Sequence, residues 1–291
     1  MADAKREPKL KQLIVEPGER ANLAERDPAW KGGLDKDEAK TLLARKTERL
    51  AELQELLWAS HAWALLVIFQ GMDGSGKDSA TKHVMSGVNP QGVEVVSFKQ
   101  PSVEELGHDF LWRVSARTPE RGRIGIFNRS HYEEVLAVRV HPEWLDKQGI
   151  RPSPKLWEKR YEDINAFEHH LDRSGTKIVK CFLHVSKDEQ KERFLARLDE
   201  PHKEWKFDAN DVAEREHWDE YMAAYEEALA ATSTKWAPWH VIPADHKWLA
   251  HAVIASVVVE AIESLELSWP EITEDDRKAN AEARRKLEAD D

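Results

Sequence analysis

An apolar run that ends in a glycine-rich turn constrains the fold of this 291-residue chain more than any other feature. The run Ala64–Phe69 has the length and β-branched content of a buried strand, and the residues after Lys77 have helical spacing. Between them, Gly71, Gly76 and Lys77 fit the pattern G-x-x-x-x-G-K. Glycines let backbone N–H groups converge on phosphate oxygens, the helix adds its positive N-terminal end, and the lysine reaches the phosphate being transferred. The stretch therefore predicts a strand, a phosphate-binding loop and a helix.

Two aspartates distinguish this loop from the common pattern. The position after the lysine usually holds a Ser or Thr whose hydroxyl binds magnesium, and here it holds Asp78. Metal binding must therefore be arranged differently, and Asp73 inside the loop could ligate magnesium or orient the attacking phosphate oxygen. The alternative for the whole stretch is an ordinary tight turn between a strand and a helix. We expect phosphate contacts from the loop residues Gly71, Gly74, Ser75, Gly76, Lys77 and Asp78.

Composition and charge narrow the class of protein. The chain is long enough for one large α/β domain or two smaller ones, and 33% of its residues are charged, as in globular proteins. No apolar run approaches the length of a membrane span and the N-terminus lacks a signal-peptide core, so we expect a cytoplasmic protein with no membrane partner. The formal net charge of −11 argues against a nucleic-acid partner. The single cysteine, Cys181, lies in a core-strand pattern and is predicted to pack inside the protein.

Apolar runs alternate with helical patterns along the chain. Besides the run before the loop, strands are predicted at residues 93–98, 124–127, 178–185 and 239–244. Strands that alternate with helices indicate a parallel sheet. We therefore predict an α/β fold in which helices flank a five-stranded parallel sheet.

The two ends of the chain differ in composition from the rest. Residues 1–37 mix charges with prolines and show no sustained period, which predicts an arm on the surface or on a neighbouring subunit. An amphipathic helix is predicted from Lys36 to Ser60. Residues 271–291 are charged and poor in apolar side chains, so we expect a disordered or loosely helical tail. The predicted domain occupies residues 38–270 between the two.

A polar cluster follows the predicted strand at 124–127. In proteins with a phosphate loop, the strand end beside the loop commonly presents an acidic residue to the metal. Here that position holds Asn128, which is neutral. Arg129 could neutralise charge on the transferring phosphoryl group, although an arginine at a strand end is more often one half of a surface ion pair. Glu133 and Glu134 come next and are candidate metal ligands.

A densely charged stretch begins at Lys187. Arg193 and Arg197 are four residues apart, so on a helix they share one face. Taken alone, this pattern fits a solvated helix with charged pairs as well as it fits a phosphate-binding surface.

Four stretches of the chain carry a resemblance: Gly71–Asp78, Asn89–Val93, Phe127–Leu136 and Lys203–Phe207. Together they resemble the polyphosphate kinase 2 family, over residues of about 42 to 265. The resemblance implies a P-loop kinase fold with a helical lid, and a nucleotide kinase that uses inorganic polyphosphate in place of a nucleoside triphosphate. Most members carry aspartate where this chain has Asn128, and the form found here resembles the subgroup that accepts both nucleoside mono- and diphosphates.

The resemblance also implies roles for individual residues. Residues 187–217 become a lid that closes over the phosphates and excludes water. Asp73 is essential in the family, and with Glu133 or Glu134 it is expected to hold Mg²⁺, or Mn²⁺ in its place. The cationic side chains expected at the reacting phosphates are Lys77, Arg129, Arg193 and Arg197. Apart from the resemblance, we expect a basic groove for the long donor near the loop helix, on Lys82, Lys99, Arg113, Arg117 and Arg123. Members of the family commonly assemble, which predicts a homo-oligomer.

Three functions follow from these patterns. We expect a phosphotransferase that moves the terminal phosphoryl group of polyphosphate to nucleoside mono- or diphosphates, and that could also run in reverse. The first alternative is an ATP-dependent nucleotide or small-molecule kinase, although no second nucleoside pocket is apparent in the sequence. The second is a non-catalytic phosphate-loop module, against which the charged lid stretch and the intact Lys77 argue.

Overall fold

The computed structural model of the chain describes residues 7–289 and contains one mixed sheet. Its strands are β1 (Ile14–Val15), β2 (Ala64–Gln70), β3 (Val93–Ser97), β4 (Ile124–Asn128), β5 (Thr176–His184) and β6 (Trp239–Pro243). They lie in the order β1-β6-β5-β2-β4-β3, with β1 antiparallel to β6 and every other pair parallel. The five predicted strands and their parallel arrangement are confirmed. The strand count of five is wrong because β1, two residues long, offers no alternation for a sequence pattern to detect.

Helices flank this sheet. They are α1 (Lys36–Ser60), α2 (Lys77–Val84), α3 (Val103–Leu106), α4 (Trp112–Ser115), α5 (Ala137–Val140), α6 (Trp144–Lys147), α7 (Leu156–Arg173), α8 (Lys187–Asp199), α9 (Ala209–Glu216), α10 (Trp218–Thr232), α11 (Lys247–Glu263) and α12 (Glu274–Glu288). Short 3-10 helices are formed by Leu10–Leu13, Leu23–Glu25, Pro90–Gly92, His131–Val135 and Glu204–Lys206. Helix α11 packs against α1, α2 and β5, whereas α7 packs against β5 and α10.

The N-terminal segment is part of the core where the structure describes it. Leu10, Leu13 and Val15 are buried, and the guanidinium of Arg26 donates hydrogen bonds to three backbone carbonyls of this segment. A few apolar side chains of residues 7–35 thus cover the edge of the sheet beside β6, and the division of the chain at residue 37 stays a prediction. Residues 1–6 of the predicted arm lie outside the described residues.

The C-terminal helix α12 is exposed along its whole length. It begins at a capping box, in which the side chains of Thr273 and Asp276 each accept a hydrogen bond from the other's backbone N–H. Residues 290–291 of the predicted tail lie outside the described residues. No helix within residues 7–289 is long and apolar enough to cross a membrane.

The carboxyl ends of the parallel strands all lie on the same side of the fold. The turn after β2 and the polar residues after β4 therefore meet there, since Phe69 of β2 pairs with Asn128 of β4. In open parallel sheets, ligands bind at the carboxyl ends of the strands. Side chains that follow the last residue of a parallel strand can therefore take part in such a site, whereas those that precede its first residue lie at the opposite end.

Candidate active site

The loop between β2 and α2 has a backbone that requires glycine. Gly71 has a φ angle of 148°, and a β-carbon at this position would lie 2.7 Å from the carbonyl oxygen of Leu183. Gly74 has a φ angle of 80°, and its β-carbon would lie 3.0 Å from a ring carbon of Phe194 on α8. The loop is therefore held between β5 and α8, and Gly76 forms the N-cap of α2. This is the geometry in which backbone N–H groups and a helix N-terminus face an anion.

Lys77 folds back over the loop. Its side chain is buried, and Nζ donates hydrogen bonds to the carbonyl oxygens of Gly71, at 2.6 Å, and Met72, at 3.2 Å. The same nitrogen lies 3.9 Å from Oδ1 of Asp73. Burial lowers the pKa of Lys77, and the charge of Asp73 opposes this effect. The ammonium group thus occupies the centre of the loop.

Asp73 and Arg129 form an ion pair across the site. Arg129 follows β4, and its Nη2 donates a hydrogen bond to Oδ1 of Asp73. Burial raises the pKa of Asp73, but the charges of Lys77 and Arg129 outweigh it and the pKa is lowered. The carboxylate is therefore ionised at neutral pH. Burial lowers the pKa of Arg129, but Glu133 and Asp73 outweigh burial, and this pKa is raised.

Asp78 and Asn128, which both differ from the residues usual at these positions, contact each other. Nδ2 of Asn128, at the end of β4, donates a hydrogen bond to Oδ1 of Asp78, at the start of α2. The helix therefore contributes a carboxylate where a hydroxyl is usual, and the strand contributes a neutral amide where a carboxylate is usual. This exchange keeps one negative charge between the two elements.

The two glutamates after β4 diverge. Burial raises the pKa of Glu133, and the positive charges of Arg129 and Lys77 oppose this rise. Glu134 turns away, because its Oε2 accepts hydrogen bonds from Gln148, at 2.7 Å, and from Arg160, at 3.2 Å. Glu134 is thus engaged by Gln148 and Arg160, and the metal-binding role of Glu133 stays a prediction.

A buried polar network supports the 3-10 helix that carries these glutamates. Lys180 and Glu168 are both fully buried, and Nζ of Lys180 lies 2.6 Å from Oε2 of Glu168. Tyr132 receives a hydrogen bond from this ammonium at 2.9 Å and donates its own hydroxyl to Glu168 at 2.7 Å. His131 Nε2 lies 3.3 Å from the same carboxylate. The segment after β4 is thereby tied to α7 and β5.

The two arginines of the predicted lid have different surroundings. Arg193 on α8 is buried, and its Nη1 and Nη2 donate hydrogen bonds to the backbone carbonyls of Gly74, Ser75, Ala244 and Asp245. Arg197 pairs with Asp211 on α9 at 2.9 Å, and its charge contributes to the lowered pKa of Asp73. Arg193 supports the loop through its backbone carbonyls, whereas Arg197 is paired with α9. Their roles at the reacting phosphates stay predictions.

The structure does not bring the five residues of the predicted groove together. Arg123 precedes β4 and Arg117 lies 3.9 Å from Glu94 in β3, so both lie toward the amino ends of the strands, at the edge opposite the loop. Arg113 is buried and donates a hydrogen bond to the carbonyl of Lys99, just after β3. Lys82 is exposed in the last turn of α2. Residues that precede a parallel strand and residues that follow it lie at opposite ends of that strand. For this reason the five residues of the predicted groove are separated.

A cavity of about 340 Å³, which the sequence did not indicate, is lined by residues of the segments that follow β3 and β4. Its lining includes Phe110, Arg113, Glu134 and Arg160. The guanidinium of Arg160 lies over the ring of Phe110, 5.2 Å from its centroid. The lining side chains come from separate segments, so no local pattern indicates the cavity.

The carboxylates of the site limit how a metal ion could be held. Among residues 7–289, no group of three or more His, Cys, Asp or Glu side chains is arranged to hold a metal ion. Mg²⁺ usually keeps several waters and takes one or two carboxylates together with phosphate oxygens. The ionised Asp73 supplies one such carboxylate, and the residues that would complete the site stay predictions.

Known proteins resemble this chain along almost all of its length. The profile of Polyphosphate kinase 2 (PPK2) matches residues 33–269. An ADP-polyphosphate phosphotransferase of Rhodopseudomonas palustris is 50% identical over 288 residues, 96% of this chain and 98% of that protein. An AMP/ADP-polyphosphate phosphotransferase of Meiothermus ruber is 44% identical over 266 residues, 90% of this chain and 96% of that protein.

A solved structure shares the fold. The crystal structure of Polyphosphate Kinase 2 from Arthrobacter aurescens TC1 has a TM-score of 0.88 at 42% identity, and the match covers 96% of this chain and 98% of that one. Both the sequence and the arrangement of the strands therefore lead to one conclusion. This chain belongs to the polyphosphate kinase 2 family.

Proposed function

We propose that this protein transfers the terminal phosphoryl group of inorganic polyphosphate to nucleoside mono- and diphosphates, making ADP from AMP and ATP from ADP, and that it can run in reverse. The observation that carries the proposal is the convergence of Lys77, Asp73 and Arg129 at the phosphate loop. Membership of the family supports polyphosphate as the donor. The names of the two relatives, one for ADP and one for AMP and ADP, support the acceptors.

Phosphoryl transfer needs positioning and charge neutralisation more than covalent catalysis. An oxygen of the acceptor phosphate attacks the terminal phosphorus of polyphosphate. The bond from that phosphorus to the bridging oxygen breaks, and the shortened chain keeps the electron pair. Lys77 and the loop N–H groups would hold the phosphates around the reacting bond, and Arg129 would neutralise charge on the transferred group.

Asp73 and Glu133 would hold Mg²⁺, with Mn²⁺ as the alternative. The metal would supply positive charge to the phosphate oxygens. Before substrates bind, Asp73 is paired with Arg129, so phosphate oxygens must compete for the guanidinium. The ion pair thus holds both side chains in the site until the charges of the substrate would replace it.

The remaining specificity follows from the surroundings of the site. The cavity lined by the segments that follow β3 and β4 lies on the acceptor side in this proposal, and its volume suits the nucleoside of a nucleotide. Residues 187–217 would act as the lid. A homo-oligomeric state and a cytoplasmic location stay predictions.

The direct test mixes the protein with Mg²⁺ and long-chain polyphosphate, without ATP, and offers AMP and ADP in separate reactions. Chromatography then follows new nucleotides. We expect ADP and ATP to form, and Lys77→Ala and Asp73→Asn to abolish their formation. Turnover with ATP as donor, and none with polyphosphate, would replace the proposal by an ATP-dependent kinase.

A further inference from the structure

One uncharged side chain connects the phosphate loop to the second helix of the predicted lid. Gln190 on α8 is fully buried, and its Nε2 donates a hydrogen bond to the backbone carbonyl of Asp73 at 2.7 Å. Its Oε1 accepts a hydrogen bond from Nη1 of Arg215, on α9, at 2.9 Å. Each end of the amide therefore has its partner on a different element.

The amide has little freedom to shift. A β-carbon placed at Gly74 would lie 3.3 Å from Cγ of Gln190, so the side chain packs directly on the loop. Arg215 also donates a hydrogen bond to the carbonyl of Lys187 at 2.6 Å, which ties α9 to the first turn of α8. Movement of α9 would therefore withdraw a donor from an amide that water does not reach.

The hydrogen bond from Gln190 is made to Asp73, the residue whose position matters most for the proposed reaction. The carboxylate of Asp73 pairs with Arg129 and lies near Lys77, while its carbonyl is held by Gln190. A displacement of about 1 Å at a reacting group can cost roughly a hundredfold in rate. The orientation of Asp73 thus depends on a hydrogen bond whose other end belongs to the lid.

We propose that Gln190 is a positioning residue that couples the placement of α9 to the orientation of Asp73 in the phosphate loop. The proposal rests on the proposed phosphotransferase function. When α9 lies against α8, Arg215 fixes the amide of Gln190, and the amide fixes the backbone of Asp73. When α9 moves away, the loop loses this restraint, so an open lid leaves Asp73 less well oriented.

The test compares four variants with the unaltered protein: Gln190→Met, Gln190→Glu, Arg215→Met and the double variant Gln190→Met/Arg215→Met. The first loses both hydrogen bonds at nearly constant volume. The second keeps an acceptor for Arg215 and loses the donor to Asp73. Gln54→Met is the matched control, because Gln54 is equally buried and accepts a hydrogen bond from the backbone N–H of Asn89.

Two quantities are measured, below the melting temperature of each variant. The first is kcat and KM with polyphosphate and ADP. The second is the rate of trypsin cleavage in the turn 200–208, which joins α8 to α9. We expect Gln190→Met and Arg215→Met each to lower kcat by about tenfold to a hundredfold, with KM changed less. We expect the double variant to lose no more than Gln190→Met alone.

The glutamate variant separates coupling from simple packing. Gln190→Glu should lower kcat as Gln190→Met does, while its turn stays as resistant to trypsin as in the unaltered protein. Gln190→Met and Arg215→Met should both be cleaved faster, and Gln54→Met should keep its kcat and its resistance. Losses that multiply in the double variant, or normal kcat in Gln190→Glu, would overturn the inference. Absence of turnover by the unaltered protein would instead refute the proposed function.

Discussion

The buried pair of Lys180 and Glu168 allows a quantitative prediction. Substituting Lys180→Met removes an ammonium that donates hydrogen bonds to Glu168 at 2.6 Å, to Tyr132 at 2.9 Å and to the carbonyl of Thr232 at 2.7 Å. Glu168 keeps only its contacts with Tyr132 and His131. The Glu168 carboxyl would then lie in the core without the ammonium, which makes its charged form more costly.

The size of the effect follows from the burial of both groups. Neither side chain is exposed, at 0% each, so solvent does not screen the pair. Removing one partner of such a pair costs about 3–5 kcal/mol of unfolding free energy. For a chain of this size, that loss lowers the melting temperature by roughly 6–20 °C. The double variant Lys180→Met/Glu168→Leu removes both charges and should lose less than the single variant.

The pH dependence has a definite sign. Burial raises the pKa of Glu168, but Lys180 and His131 outweigh it, so in the native protein the pKa is lowered. The pair therefore stabilises the native protein above the ordinary glutamate pKa, and this contribution is lost as the pH falls through the lowered value. In Lys180→Met, the ammonium no longer offsets the effect of burial. Protonation of the Glu168 carboxyl is therefore more favourable in this variant than in the native protein. The difference between native protein and variant should thus be smaller at pH 5 than at pH 8.

Urea unfolding followed by circular dichroism at both pH values measures this difference. An unfolding free energy of Lys180→Met within about 1 kcal/mol of the native value at pH 8, or an equal loss at both pH values, would contradict a dominant effect of the unpaired charge. The double variant is the control for volume. If it loses as much as the single variant, packing and not the unpaired charge causes the effect.

Three further predictions concern single positions. Asn128→Asp would set a carboxylate against that of Asp78, so we expect a steeper dependence of activity on Mg²⁺; an unchanged titration would remove this contact from the site. Gly74→Ala should cost about 1–2 kcal/mol from its φ angle alone, and because its β-carbon would meet Phe194, it should also lower kcat; thermal melts and kinetics together check this. Burial raises the pKa of the Cys181 thiol, so iodoacetamide should label this residue only after denaturation, and labelling of the folded protein at pH 8 would contradict its burial.

Local patterns predicted the part of the fold that depends on local sequence. The apolar run before Gly71 and the glycines that follow it specify strand, loop and helix within fifteen residues. The meeting of Asp73 and Arg129 follows from topology, because residues at the carboxyl ends of adjacent parallel strands share an edge. Ile14–Val15 could not be predicted, since a strand of two residues is defined by its partner β6 and not by its own pattern.

The predicted groove shows how strand direction limits which residues can lie together. Arg123 stands immediately before β4, and Asn128 ends the same strand, so the two must lie at opposite edges of the sheet. Gln190 carried no signal, because an uncharged residue within a helix belongs to no motif and its two contacts come from distant segments. The spacing of Arg193 and Arg197 predicted a shared face but not that one guanidinium would bind backbone carbonyls.

We conclude that polyphosphate is the phosphoryl donor, and we propose that Lys77, Asp73 and Arg129 act on it. A ³¹P NMR time course of the protein with Mg²⁺, ADP and polyphosphate of defined length measures donor and product together. The account predicts that ATP signals grow as the polyphosphate chain shortens by the same amount, with no orthophosphate, and that Arg129→Met slows both changes alike. Release of orthophosphate without ATP, or an Arg129→Met variant as fast as the native protein, would contradict it.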